Sequence, residues 1–196
     1  MNIEAKYTKR RRIFSAVLLL IIIGLVVGLA YNARNLKLPE RNVATHQPGL
    51  YEVVAFSDGD TIKVDMNGTK ETIRMIGVDT PETKDPRKPV QCFGKAASAF
   101  TKQLIGTKRV RLETDSQSTN RDRYDRLLRY VYLPDGRLVA AEIIKEGYGF
   151  AYLGFPFDKS DDFKRFEDVA KQAGKGLWST CEQYVDSKGS VHTNSE

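Results

Sequence analysis

Asn67-Gly68 narrows what this chain can fold into more than any other pair of residues. A two-residue type I′ turn needs φ > 0 at both central positions, which Asn tolerates and Gly adopts freely. The flanking runs, Thr61–Met66 and Thr69–Ile76, alternate apolar and polar side chains around Ile62, Val64, Ile73 and Met75. That is the period of half-buried strands, so the two runs form a hairpin. A third run, Leu50–Phe56, enters through the turn Asp58-Gly59-Asp60, which completes an antiparallel meander. The last strand stops near Asp79-Thr80-Pro81. Proline fixes its own φ and biases Thr80 towards an extended conformation.

Farther along, Thr83–Gln91 reads as a loop, with Pro86, Pro89 and basic Lys84, Arg87 and Lys88. Cys92–Leu104 has helical spacing of Phe93, Ala96, Ala97, Phe100 and Leu104, and Gly106 ends it. Lys108–Glu113 and Leu127–Leu133 read as strands, separated by the polar loop Thr114–Asp122. Val139–Glu146 is a short helix. A last helix starts at the N-cap candidate Ser160, buries Phe163, Phe166, Val169, Ala170 and Ala173, and stops at Gly174. Ser179–Glu196 is polar and expected to fray. Five strands with interspersed helices suit a small closed barrel, an α+β class.

The strand exits carry the chemistry. Asp58 and Asp60 flank a glycine turn, Arg74 lies inside a strand, and Asp79 and Glu82 follow its end. Arg123-Tyr124-Asp125-Arg126 adds a further guanidinium at Arg126. Hard oxygen ligands suit a cation such as Ca²⁺ or Mg²⁺, and Asp60 and Asp79 are the candidate ligands. Glu82 is the candidate general base for a water attacking phosphorus. Arg74 and Arg126 offer planar forks that match phosphate oxygens. Each has a plainer alternative: a turn for Asp58-Gly59-Asp60, a loop cap for Glu82, a surface strand arginine for Arg74. An EF-hand is excluded, because the twelfth loop position counted from Asp58 is Thr69 rather than Glu.

Taken together, Asp58-Gly59-Asp60-Thr61, Ile73-Arg74-Met75-Ile76-Gly77-Val78-Asp79-Thr80-Pro81-Glu82 and Arg123-Tyr124-Asp125-Arg126 resemble the staphylococcal nuclease (thermonuclease) family. The likeness runs from about Leu50 to Trp178. It implies an OB-fold barrel with three helices. It also implies Ca²⁺ as the ion, the Thr80 carbonyl as a third protein ligand, and Asp58 acting through a water. Tyr124 and Tyr152 match positions that contact nucleotide, where an aromatic face can stack a base; for Tyr152, barrel packing is the alternative. Arg123 and Lys88 read as solvated loop charges. One departure stands out: family members usually carry glycine where Asp125 stands. A carboxylate there could hold Arg126 off a phosphate.

The net charge of +6 says little about substrate, because residues 1–12 hold five Lys/Arg against one acid and the remainder holds 26 against 24. Ile13–Ala30 is uncharged for 18 residues behind Lys9-Arg10-Arg11-Arg12. A spanning helix needs about 17–25 apolar residues, and the cations keep the N-terminus in the cytoplasm. The alternative is a signal peptide cleaved near Ala30, although the apolar run exceeds the roughly 7–15 residues of a signal core. The expected organisation is a basic N-terminus (1–12), a membrane anchor or signal segment (13–31), a linker (32–49), the barrel domain (50–180) and a polar tail (181–196). Export favours a Cys92–Cys181 disulfide over two unpaired thiols.

These readings point to an exported Ca²⁺-dependent endonuclease at the outer face of the cell membrane, or secreted. Its substrate is DNA, with RNA a further candidate, and no obligate protein partner is indicated. The competing reading is a non-catalytic nucleic-acid-binding module on the same barrel. Such a module should have lost one or more of Asp60, Asp79, Glu82, Arg74 and Arg126, and all five are present.

Overall fold

A computed structural model describes residues 49–85, 89–187 and 189–195. The segment expected to span a membrane and Lys88 lie outside these residues. Among the described residues, no helix is long and apolar enough to cross a membrane.

Five strands close the barrel: β1 (Leu50–Phe56), β2 (Thr61–Met66), β3 (Thr69–Met75), β5 (Val110–Glu113) and β6 (Leu127–Tyr132). Their order is β1-β2-β3-β6-β5, with β1 pairing back onto β5. Asn67 and Gly68 adopt φ of 57° and 91°, the turn their chemistry demands. A register shift between Val53 and Ala55 bends β1, as closure of so small a barrel requires. The inward residues Ile62, Val64, Ile73, Met75, Val110 and Val131 are almost wholly buried.

Helix α1 (Gly94–Ile105) starts two residues later than expected, leaving Cys92 outside it, and buries Ala97, Thr101 and Ile105. Phe100 and Leu104 are only half-buried, and Phe100 stacks on Tyr148. Helix α2 (Val139–Lys145) covers the barrel with Val139, Ala140, Ile143 and Ile144, and α3 (Ser160–Gln172) seats Phe163 and Ala170 against it. Ser160 is the first helical residue of α3 rather than its cap, which is Lys159.

Three features correct the sequence reading. A fourth helix, α4 (Leu177–Thr180), follows α3, where three helices were expected. Two short strands, β4 (Val78–Asp79) and β7 (Phe150–Ala151), pair outside the barrel. Gln183–Val185 (β8) and Val191–Thr193 (β9) form a hairpin where a frayed tail was expected. Cys92 and Cys181 are bonded, across 89 positions of sequence.

Candidate active site

The site is built where β3 turns into β4. Gly77 takes φ of 75°, and a Cβ there would lie 2.6 Å from the Phe157 ring, so only glycine makes this turn. The turn brings Asp79 back to its strand neighbour: Arg74 Nη2 donates to Asp79 Oδ1 at 2.8 Å. Arg74 Nη1 donates to the Met75 and Val78 carbonyls at 2.8 and 2.6 Å, and Nε lies 3.4 Å from Asp60 Oδ1. Burial works against the Arg74 charge, but Asp60 and Asp79 outweigh it and raise the guanidinium above its usual range. At Asp79 the balance is reversed. Burial pushes its carboxyl up to about 6, despite the pull of Arg74.

Asp60 is buried and fixed on both oxygens. Thr61 Oγ1 donates to Oδ1 at 2.8 Å, and the Thr80 N–H and hydroxyl donate to Oδ2 at 2.9 and 3.0 Å. A Cβ on Gly59 would meet Thr80 Cγ2 at 2.7 Å, so the glycine lets the Asp58–Asp60 turn close on Thr80. Thr101 of α1 supports that turn, its hydroxyl donating to the Gly59 carbonyl at 2.6 Å. Asp58 accepts the Thr83 hydroxyl at 2.6 Å, and burial raises its carboxyl, aided by Glu82 and Asp60.

Glu82 does cap its own turn. Its Oε1 accepts the N–H groups of Thr83, Lys84 and Asp85 at 2.9, 2.7 and 3.1 Å. All three bonds fall on one oxygen, and they fix the direction in which the carboxylate points.

Arg126 is held by Asp122, at the end of a stretch whose sequence reads only as a polar loop. Arg126 Nε and Nη2 both reach Asp122 Oδ2 at 2.7 Å. Asp125 has φ of 63°, the left-handed conformation that glycine favours. Its side chain is 87% exposed and lies 3.5 Å from Arg121 Nε, so it turns away from Arg126. Tyr124 is exposed; Arg123 donates to its hydroxyl at 2.7 Å, and the guanidinium groups of Arg123 and Arg126 lie over its ring. Tyr152 lies half-exposed with its ring against Phe155.

One cavity of about 1120 Å³ collects Asp58, Asp60, Arg74, Asp79, Thr80, Glu82, Tyr124, Arg126 and Tyr152. Asp122 and Phe155 join its lining, as do Asp186, Ser190 and His192 from the C-terminal hairpin. The sequence reading missed these. The only available hint was a pair of short apolar–polar runs, Tyr184-Val185 and Val191-His192-Thr193, around a turn ending in Gly189. Among the described residues no three acidic, histidine or cysteine side chains form a metal cluster. The expected donor set has only two side-chain ligands, Asp60 and Asp79. The Asp60 oxygens keep lone pairs beyond those the two threonines use. The donors are hard oxygens, and the buried carboxyl of Asp79 gains from a nearby positive charge, so the residues present fit a divalent cation.

A closed five-stranded barrel with a cleft of carboxylates and arginines defines an OB-like fold with a charged cleft. The comparisons then place it: the model of the family described as "Staphylococcal nuclease homologue" matches residues 72–180. The chain is 36% identical over 172 residues to a thermonuclease of Staphylococcus hyicus, covering 86% of this chain and 99% of that one. It is 42% identical over 150 residues to a thermonuclease of Staphylococcus intermedius, covering 76% and 86%. Against Endonuclease YncB of Bacillus subtilis it is 44% identical over 134 residues, covering 67% of this chain and 62% of that protein. The chain belongs to the staphylococcal nuclease homologue family.

Proposed function

We propose that this chain is a nuclease that hydrolyses phosphodiester bonds of DNA, with RNA as a further substrate, in a Ca²⁺-dependent reaction. Its relatives named thermonuclease and endonuclease support the nuclease class. The observation that carries the reading is one cavity that gathers the carboxylates Asp58, Asp60, Asp79 and Glu82 with Arg74, Arg126, Tyr124 and Tyr152.

Asp60, Asp79 and the Thr80 carbonyl would hold the cation, with Asp58 acting through a water. When bound, Ca²⁺ supplies Lewis-acid polarisation of a phosphoryl oxygen and neutralises charge that builds in the transition state. Glu82 accepts the proton of the attacking water, its carboxylate pre-aimed by the three N–H groups of its own turn. Arg74 and Arg126 face the phosphate oxygens and grip them most as charge accumulates there. Both arginines already bind carboxylates, so each exchanges a partner when phosphate enters. Tyr124 and Tyr152 offer faces to bases. Stacking and phosphate contacts read no sequence, so cleavage has little sequence preference. We also propose that residues 13–31 anchor the chain, or direct its export, with the barrel outside the cell.

The test is cleavage of plasmid DNA by the full chain over a Ca²⁺ titration. Asp60→Ala and Asp79→Ala should each lose Ca²⁺ affinity and cleavage together while the far-UV circular dichroism stays unchanged. Wild-type cleavage by either variant at limiting Ca²⁺ removes that residue from the ligand set, and cleavage indifferent to a chelator removes the metal.

A further inference from the structure

The C-terminal hairpin is not needed to close the barrel, yet it is bonded to the residue that grips Glu82. Gln91 Oε1 accepts the Glu82 N–H at 2.7 Å, and the Gln91 N–H donates to the Glu82 carbonyl at 2.9 Å. One residue therefore satisfies both backbone polar groups of Glu82. Gln91 is only 8% exposed, so these bonds compete little with water.

The far side of Gln91-Cys92 belongs to the hairpin. Gln91 bridges Ser195, and the Cys92 N–H donates to the Asn194 carbonyl at 2.7 Å. The Thr193 hydroxyl, on a residue 1% exposed, donates to the Cys92 carbonyl at 2.8 Å. The Asn194 N–H returns to the Glu182 carbonyl at 3.0 Å, beside Cys181, whose sulfur is bonded to Cys92. Both ends of the hairpin are thus tied to the dipeptide that clamps Glu82. The same hairpin puts Asp186, Ser190 and His192 on the cavity wall, and His192 Nε2 lies 3.1 Å from Asp186 Oδ2.

We propose that Gln91 is a positioning residue for Glu82, and that the disulfide-tethered hairpin β8–β9 holds Gln91 in place. The inference rests on reading Glu82 as the base. The carboxylate of Glu82 is aimed by the turn that follows it and its backbone is fixed by Gln91. Releasing the backbone moves the carboxylate relative to the attacking water without removing any group that touches nucleic acid. The rate should fall and binding should not.

The experiment is steady-state and single-turnover cleavage of a single-stranded DNA by the full chain at saturating Ca²⁺. Gln91→Leu keeps the bulk and removes the acceptor. It should lower kcat by about 10- to 100-fold, the scale of a misplaced catalytic group, with KM within about twofold. Added to Glu82→Gln it should cost little more, because the two residues act as one unit. Cys92→Ser combined with Cys181→Ser, or reduction of the wild type, should show the same split to a smaller degree. Should Gln91→Leu not fold, Thr193→Val removes the bond to Cys92 and should lower kcat in the same way. Wild-type kcat in a folded Gln91→Leu or Thr193→Val overturns the inference while an impaired Glu82→Gln leaves the proposed function standing. A fully active Glu82→Gln overturns the reading of the base itself. If His192→Ala lowers kcat and Gln91→Leu does not, the hairpin acts by touching substrate, and positioning through Gln91 is wrong.

Discussion

Arg126 shows where neighbours in sequence and neighbours in space diverge. Asp125 adjoins it in the chain, but a left-handed backbone points the Asp125 side chain to solvent and towards Arg121. Asp122, four positions earlier, makes the pair instead, and its carboxylate also accepts the backbone N–H groups of Tyr124 and Arg126. Asp125→Gly should therefore leave kcat/KM within about twofold of wild type and should not lower Tm, since glycine adopts φ > 0 without the Cβ penalty. A tenfold rise in kcat/KM would make Asp125 the competitor for Arg126 after all. Asp60, Arg74, Asp79 and Glu82, which line the cavity too, are legible as candidates because their spacing ties them to the ends of the runs that form β2 and β3. Asp122 is not. A carboxylate in a polar loop looks the same in sequence whether it pairs with an arginine or with water. Glu82 has two readings in the sequence, base or cap, and its hydrogen bonds show the cap.

The elements divide by length and by what faces them. Strands β1, β2, β3, β5 and β6 were legible to within two residues, because four or more alternating positions establish a period of two. β4 and β7 have two residues each and no period to detect. Their pairing depends on the Gly77 turn, and Phe157 and Phe163, far along the chain, enforce it by leaving no room for a Cβ. Helix α1 begins two residues after the point its apolar spacing predicts, because Phe93 takes φ of 71° and stops it from extending backwards through Phe93 and Cys92. The hairpin β8–β9 was missed for a different reason. β8 is exposed along its length, so hydrophobic patterning carries no signal there. What holds the hairpin is a disulfide and backbone bonds to Gln91 and Cys92, contacts between positions about ninety to a hundred residues apart.

At the scale of the whole molecule, the barrel serves as a frame that brings strand ends, the Gly77 turn and the 122–126 loop to one cavity. The basic N-terminus and the uncharged span after it carry the proposal about location. Protease added to intact cells that express the chain should abolish its nuclease activity if the barrel stands outside, and full protection of the barrel places it inside. The account as a whole depends on Glu82 acting on a water rather than serving only as a cap, and one substitution separates the two. Glu82→Gln retains the oxygen that accepts the N–H groups of Thr83, Lys84 and Asp85, so the turn survives, but it loses the basicity. The measurement is single-turnover cleavage of DNA at saturating Ca²⁺, alongside substrate affinity. The account predicts a fall in rate of about 10²-fold or more, with affinity close to wild type. Cleavage at the wild-type rate, with the turn intact, would contradict it.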